Sequence, residues 1–118
     1  MAGGDPYSLV EDAPLFVVPR TLDALRAFRA APRLEALHDD ERARLGPAID
    51  RVADRLIADV ATRPTKFWAL KQFQPVLEAV QHGDTETRDQ VGAELEDLMD
   101  ILGIERSDGV LAYYLGGL

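Results

Sequence analysis

The sequence predicts a single all-α domain: a helical bundle of about four main helices, with an extended N-terminal arm over residues 1–20 and a helical domain over 21–118 that ends in a short C-terminal helix. Three observations carry this prediction. Apolar residues recur at three- and four-residue spacing in successive segments. Prolines and glycines interrupt those segments often enough to leave only short connections between them. No strand–helix alternation points to a parallel sheet. A chain of 118 residues that is 47% hydrophobic suits one domain with a real core.

The arm contains Gly3, Gly4, Pro6, Pro14 and Pro19, and its apolar run Leu15-Phe16-Val17-Val18 is expected to lie along the core or form a short edge strand. A first helix is expected from Thr21 as N-cap, with Asp23 in its first turn. Its face is Leu22, Leu25 and Phe28, and Pro32 ends it. After a polar stretch, His38-Asp39-Asp40-Glu41, a second helix is expected to begin at Pro47, because the missing proline N–H has no intrahelical partner at a first position. Ile49, Val52, Ala53, Leu56, Ile57 and Val60 follow at helical spacing, and Arg55 and Asp59 form an i,i+4 pair.

Thr65 can cap a third helix that runs through Gln81, with Phe67, Leu70, Phe73, Leu77 and Val80 inward and a kink or restart at Pro75. The fourth helix has the clearest ends. Asp84 or Thr85 caps its start, and Gly103 followed by Ile104 fits a Schellman stop. Val91, Leu95, Leu98 and Leu102 make its buried stripe. Ser107 is placed to cap a last short turn that carries Val110, Leu111, Tyr113, Tyr114 and Leu115.

Charge divides the chain. Residues 76–118 hold ten acids against Arg88 and Arg106, which accounts for the whole formal net charge of −8; residues 1–75 are balanced. That imbalance argues against nucleic acid and against an anionic membrane surface, since both are bound through clustered Lys and Arg. It favours a basic protein partner. The absence of cysteine excludes disulfides and thiolate metal sites. With no basic, apolar leader at the N-terminus and no apolar stretch of about 20 residues, a cytoplasmic protein is expected.

The residues offer little chemistry. His38 and His82 have no second ligand at metal-binding spacing, and Ser8 and Ser107 lie in no nucleophile motif. No glycine pattern cradles a phosphate. The expectation is no enzyme, no metal and no cofactor.

A surface is easier to identify. At about 100° per residue, Glu86, Asp89, Glu96, Asp97 and Asp100 fall within an arc of roughly 100° opposite the Val91–Leu102 stripe. Such like charges at helical spacing cost a few tenths of a kcal/mol each. Trp68, expected to point away from the Phe67 side of its helix, is the candidate anchor of a binding surface. The uncharged tail offers Tyr113, Tyr114 and Leu115 either to the core or to a homodimer contact.

The run Glu96-Asp97-Leu98-Met99-Asp100-Ile101-Leu102-Gly103-Ile104-Glu105-Arg106-Ser107-Asp108-Gly109 resembles the C-terminal signature of a small bacterial all-helical family of unknown function. That signature reads E-x-L/I-M-D-I-x-G-x-E-S-S-D-G and precedes an aromatic tail. The resemblance covers roughly residues 47–118, and it departs at Arg106, where the pattern has Ser, and in the long arm. It implies no reaction and no catalytic residue. Small acidic members of such families are associated with antitoxin and immunity roles. Together these readings predict a non-enzymatic protein-binding domain of the immunity or antitoxin type. The alternative is a structural or regulatory domain that self-associates through its tail.

Overall fold

The computed structural model describes residues 4–116, so residues 1–3 of the predicted arm and residues 117 and 118 of the tail lie outside the described residues. Six α-helices follow one another: α1 (Pro19–Ala30), α2 (Asp39–Asp59), α3 (Lys66–Lys71), α4 (Gln74–Val80), α5 (Thr85–Leu102) and α6 (Val110–Leu115). The all-α class holds. The described residues form no strand, only an isolated antiparallel bridge between Pro14 and Thr65.

The arm is not extended throughout. Pro6–Leu9 forms a 3-10 turn, started by the Asp5 carboxylate, which accepts the Tyr7 N–H at 2.9 Å. The turn drives the Tyr7 ring into the core, where its hydroxyl donates to the Leu70 carbonyl at 2.9 Å. Farther along, Leu15 N–H donates to Pro64 O at 2.7 Å and Lys66 N–H to Ala13 O at 2.8 Å. This extended stretch alternates in the manner of a strand. Leu15 is buried and Val17 half-buried, while Phe16 and Val18 face outward.

α1 starts at Pro19, two residues before the expected cap. Proline suits the first helical position, and Thr21 acts from inside the helix, its hydroxyl accepting the Val18 N–H at 3.3 Å. α2 corrects the sequence reading more deeply. His38 is its N-cap, and Asp39, Asp40 and Glu41 form its first turn, where the helix dipole favours negative charge. Pro47 therefore lies inside the helix. An interior proline costs about 3 kcal/mol. Leu45, Ile49, Val52, Ala53 and Leu56 are all buried on one stripe that runs past it on both sides, and their burial outweighs that cost. The expected Arg55–Asp59 pair is absent. Arg55 turns instead to Gln72, reaching its side-chain oxygen at 3.0 Å and its carbonyl at 2.9 Å.

The expected third helix is two helices. Thr65 caps α3 by accepting the Trp68 N–H at 3.2 Å, and Asp12 of the arm adds a second cap by accepting the Phe67 N–H at 2.8 Å. The helix breaks at Gln72-Phe73, so that Pro75 falls in the first turn of α4, where no N–H is needed. Leu70, Phe73, Leu77 and Val80 are buried as expected, but Phe67 is not: it is 38% exposed, with its ring edge-on to Tyr7.

α5 matches its expected limits. Asp84 accepts the Thr87 N–H at 2.9 Å, and Gly103 sits at φ 78°. Ile104 N–H returns to Met99 O at 2.8 Å, the hydrogen bond of a Schellman stop. The N-cap of α6 is Gly109, at φ 93°, and not Ser107, whose hydroxyl nevertheless accepts the Leu111 N–H of the first turn at 3.2 Å. α6 packs closely on α5 because residue 92 is glycine; a Cβ there would lie 2.9 Å from the Leu115 Cδ1. No helix is long and apolar enough to cross a membrane among the described residues.

Three helices end on an arginine. Arg33 closes α1 through the Phe28 carbonyl at 2.7 Å, Arg55 closes α3 through Gln72 O, and Arg44 reaches Ala79 O near the end of α4 at 3.2 Å. Each cation sits at the negative pole of its helix and donates to a carbonyl near its end; the Phe28 carbonyl also accepts the Ala31 N–H at 3.2 Å. α5 has no basic residue in its last turn.

Candidate functional site: the acidic face of α5

α5 packs against α1, α2, α4 and α6. Its buried side is Thr87, Val91, Gly92, Leu95, Leu98, Met99 and Leu102, wider than the expected stripe because α6 covers the Gly92–Met99 flank. What remains outward is Glu86, Asp89, Glu96, Asp97 and Asp100, and all five are exposed. Among the described residues none of them forms a salt bridge, whereas Asp23, Asp39, Glu41, Asp50, Asp54, Glu94 and Asp108 all do. The first two thirds of the chain thus neutralise many of their own acids. The α5 face does not.

Glu94, on the flank of this face, is withdrawn from it. Arg33, whose side chain is only 5% exposed, donates to Glu94 Oε1 at 3.2 Å and to Asp50 Oδ1 at 2.9 Å. The second Glu94 oxygen accepts the Leu34 N–H at 3.3 Å and so supports Leu34 at φ 58°, a conformation a leucine rarely takes. Arg33 and Glu94 join α1, α2 and α5 at the base of the face, and nothing in their sequence neighbourhood signals the pairing.

Two shallow grooves flank the acids. On the α6 side, a cavity of about 220 Å³ is lined by Asp89, Gly92, Glu96, Leu111, Leu115 and Arg88, the one base on α5. The Arg88 Nε is buried there without a hydrogen-bond partner. On the other side, a groove of about 240 Å³ runs between Pro14, Leu15 and Phe16 of the arm and Asp100–Gly103 of α5. Phe16 is 85% exposed. The run Leu15-Phe16-Val17-Val18 is expected along the core, but its two-residue alternation turns only Leu15 and Val17 inward and leaves Phe16 outside.

The other candidates are placed differently. Trp68 is half-buried and packed against the core cluster on α3, and it is not brought to the acidic face. Phe67, expected inside, is the more outward of the two. In the tail, Tyr114 is buried in the domain's own core and Leu115 is half-buried against α5, which leaves Tyr113, half-exposed and edge-on to Tyr114. Burial pushes the Tyr114 hydroxyl above its ordinary pKa. His38 caps α2 and His82 lies exposed after α4; neither joins a cluster of metal-ligating groups among the described residues.

Asp108, in the connection between α5 and α6, fastens that connection to the arm and to α3. Its carboxylate accepts the Lys66 ammonium at 2.7 Å and the Glu11 N–H at 2.9 Å. The Lys66 hydrogen bond first, and then that of Glu11, hold this carboxyl below the usual Asp range. A carboxyl depressed in the folded state contributes stability that is complete above its unfolded value, about pH 4, and is lost as pH falls through the folded value. Thermal melts from pH 7 downwards are expected to show wild type losing this contribution below about pH 4, and Asp108→Asn lacking it at every pH. Parallel curves for the two proteins would remove Asp108 from the account.

The family described as domain of unknown function DUF4844 matches residues 20–118, and the chain belongs to it. The match reaches back across α1 and all of α2, farther than the C-terminal pattern alone extends. No curated protein and no solved structure matches the chain.

Proposed function

We propose that this member of a family of unknown function is a non-enzymatic protein-binding domain that presents Glu86, Asp89, Glu96, Asp97 and Asp100 to a basic protein partner. The observation that carries the reading is that, among the described residues, none of these five acids forms a salt bridge, in a fold that pairs many of its acids elsewhere. Uncompensated like charges on one helix destabilise it slightly. A cationic partner relieves that repulsion and is steered in by it, faster at low salt than at high. An inhibitor of the immunity or antitoxin type fits this chemistry, because such a protein must capture its target quickly and needs no reaction of its own. That role rests on the family association implied by the C-terminal pattern.

The test uses a nona-arginine peptide as the basic probe and fluorescence anisotropy as the readout. Asp97→Lys/Asp100→Lys is expected to weaken binding at least about tenfold, with a shallower salt dependence. Its melting temperature stays at the wild-type value or rises, since both side chains are exposed and unpaired. Glu35→Lys/Asp59→Lys makes the same change in net charge at exposed positions outside α5 and is expected to lose far less. Equal losses in the two variants would sink the proposal, because binding would then follow net charge alone.

A further inference from the structure

The arm-side groove carries the reading further. Three features meet there. The Phe16 ring stands 85% exposed at one wall. Asp100, an unpaired carboxylate of the acidic face, lies at the other. Between them the groove is lined by Ile101, Leu102 and Gly103, the C-terminal end of α5. Among the described residues, no hydrogen bond reaches the carbonyls of Ile101 or Leu102, because the Schellman bonds close on Asp100 and Met99. This end of the helix dipole is negative, and Asp97 and Asp100 add to it where a basic residue ordinarily sits.

The contrast with the rest of the fold gives the groove its chemistry. α1, α3 and α4 each have an arginine of this same chain on carbonyls at their C-terminal ends. One of them, Arg33, also lies over an aromatic ring, with its guanidinium 4.3 Å from the Phe28 centroid. At the end of α5 the aromatic ring, the acid and the free carbonyls are all present, and among the described residues no arginine is hydrogen-bonded to them; Arg106 lines the adjoining groove with Lys66 and makes no such bond.

We propose that this groove receives an arginine side chain of the basic partner, with the guanidinium against the Phe16 ring and hydrogen-bonded to Asp100 and the α5 terminus. The inference rests on the proposed function and adds a specificity to it: arginine over lysine. A planar guanidinium stacks on an aromatic face and donates to several acceptors at once, whereas an ammonium is a compact, strongly hydrated point charge.

The experiment compares nona-arginine with nona-lysine on the full chain. Wild type is expected to prefer the arginine peptide about two- to five-fold beyond the difference shown by Phe16→Ala, the range expected for an exposed cation–aromatic contact. Phe16→Ala loses that preference while its affinity for nona-lysine and its melting temperature stay near wild type. Phe16→Trp restores or increases the preference, since indole is the stronger partner. If Phe16→Ala keeps the wild-type preference while Asp97→Lys/Asp100→Lys still weakens both peptides, the groove proposal is overturned and the acidic face stands. If the charge-reversed protein binds both peptides as wild type does, both proposals are overturned.

Discussion

Replacing Arg33 by alanine is expected to destabilise the domain by about 3–5 kcal/mol, the cost of removing one partner from a buried ion pair. The size follows from what the guanidinium holds. Its Nε donates to Asp50 on α2, one terminal nitrogen to Glu94 on α5, and the other to the Phe28 carbonyl that ends α1. Alanine leaves Glu94, only 19% exposed, without its cation, and leaves the Phe28 carbonyl at the end of α1 with only the Ala31 N–H. Leu34 then keeps its unfavourable backbone conformation with weakened support from the Glu94 carboxylate. Arg33→Lys retains the charge but not the fork of donors, and an intermediate loss is expected. Urea denaturation of the three proteins at neutral pH measures the series. A loss below about 1 kcal/mol for alanine would mean that the network contributes no more than an exposed surface pair.

Tyr7→Ala is expected to cost about 3 kcal/mol, and Tyr7→Phe about 0.5–1.5 kcal/mol, in the same assay. The first removes a fully buried ring from between the arm and α3. The second leaves the ring but removes the bond the hydroxyl makes across 63 residues of sequence to the Leu70 carbonyl, which keeps the Phe73 N–H at 3.1 Å. The family match begins at residue 20, so Tyr7 lies outside it. A large loss therefore makes the arm part of the folded unit, and a melt within a degree of wild type would make it an appendage. The distinction bears on function, because the arm supplies Phe16.

The elements with local signals were legible in the sequence. α5 was readable at both ends because an Asp cap, a glycine stop and a four-residue stripe all lie within its own span. α2 was misplaced because a local preference, proline at a first position, was overruled by burial of Leu45 and Ile49 on either side of Pro47. The rotation of α3 was misjudged for a related reason. Six residues make too short a helix for its own periodicity to fix which side faces inward, and contacts with Tyr7 and Asp12 of the arm settle it.

The candidate site divides the same way. The five acids lie outward, as the 3.6-residue period of an otherwise well-signalled helix predicts. Their isolation from internal cations was not legible, because Arg33, Arg44 and Arg55 each make contacts far along the chain, across 61, 35 and 17 residues. Trp68, expected to point outward from its helix, is half-buried against the core instead. The Phe16 groove needs two segments more than 80 residues apart, which no local pattern reports.

The central claim is that α5 holds its partner through its unpaired acids. Wild type and Asp97→Lys/Asp100→Lys, each immobilised and loaded with the native lysate, test it most directly. A basic protein is predicted to stay on the wild-type column, to leave as salt is raised, and to be absent from the variant column. Retention of the same proteins by both columns, released at the same salt, would contradict it.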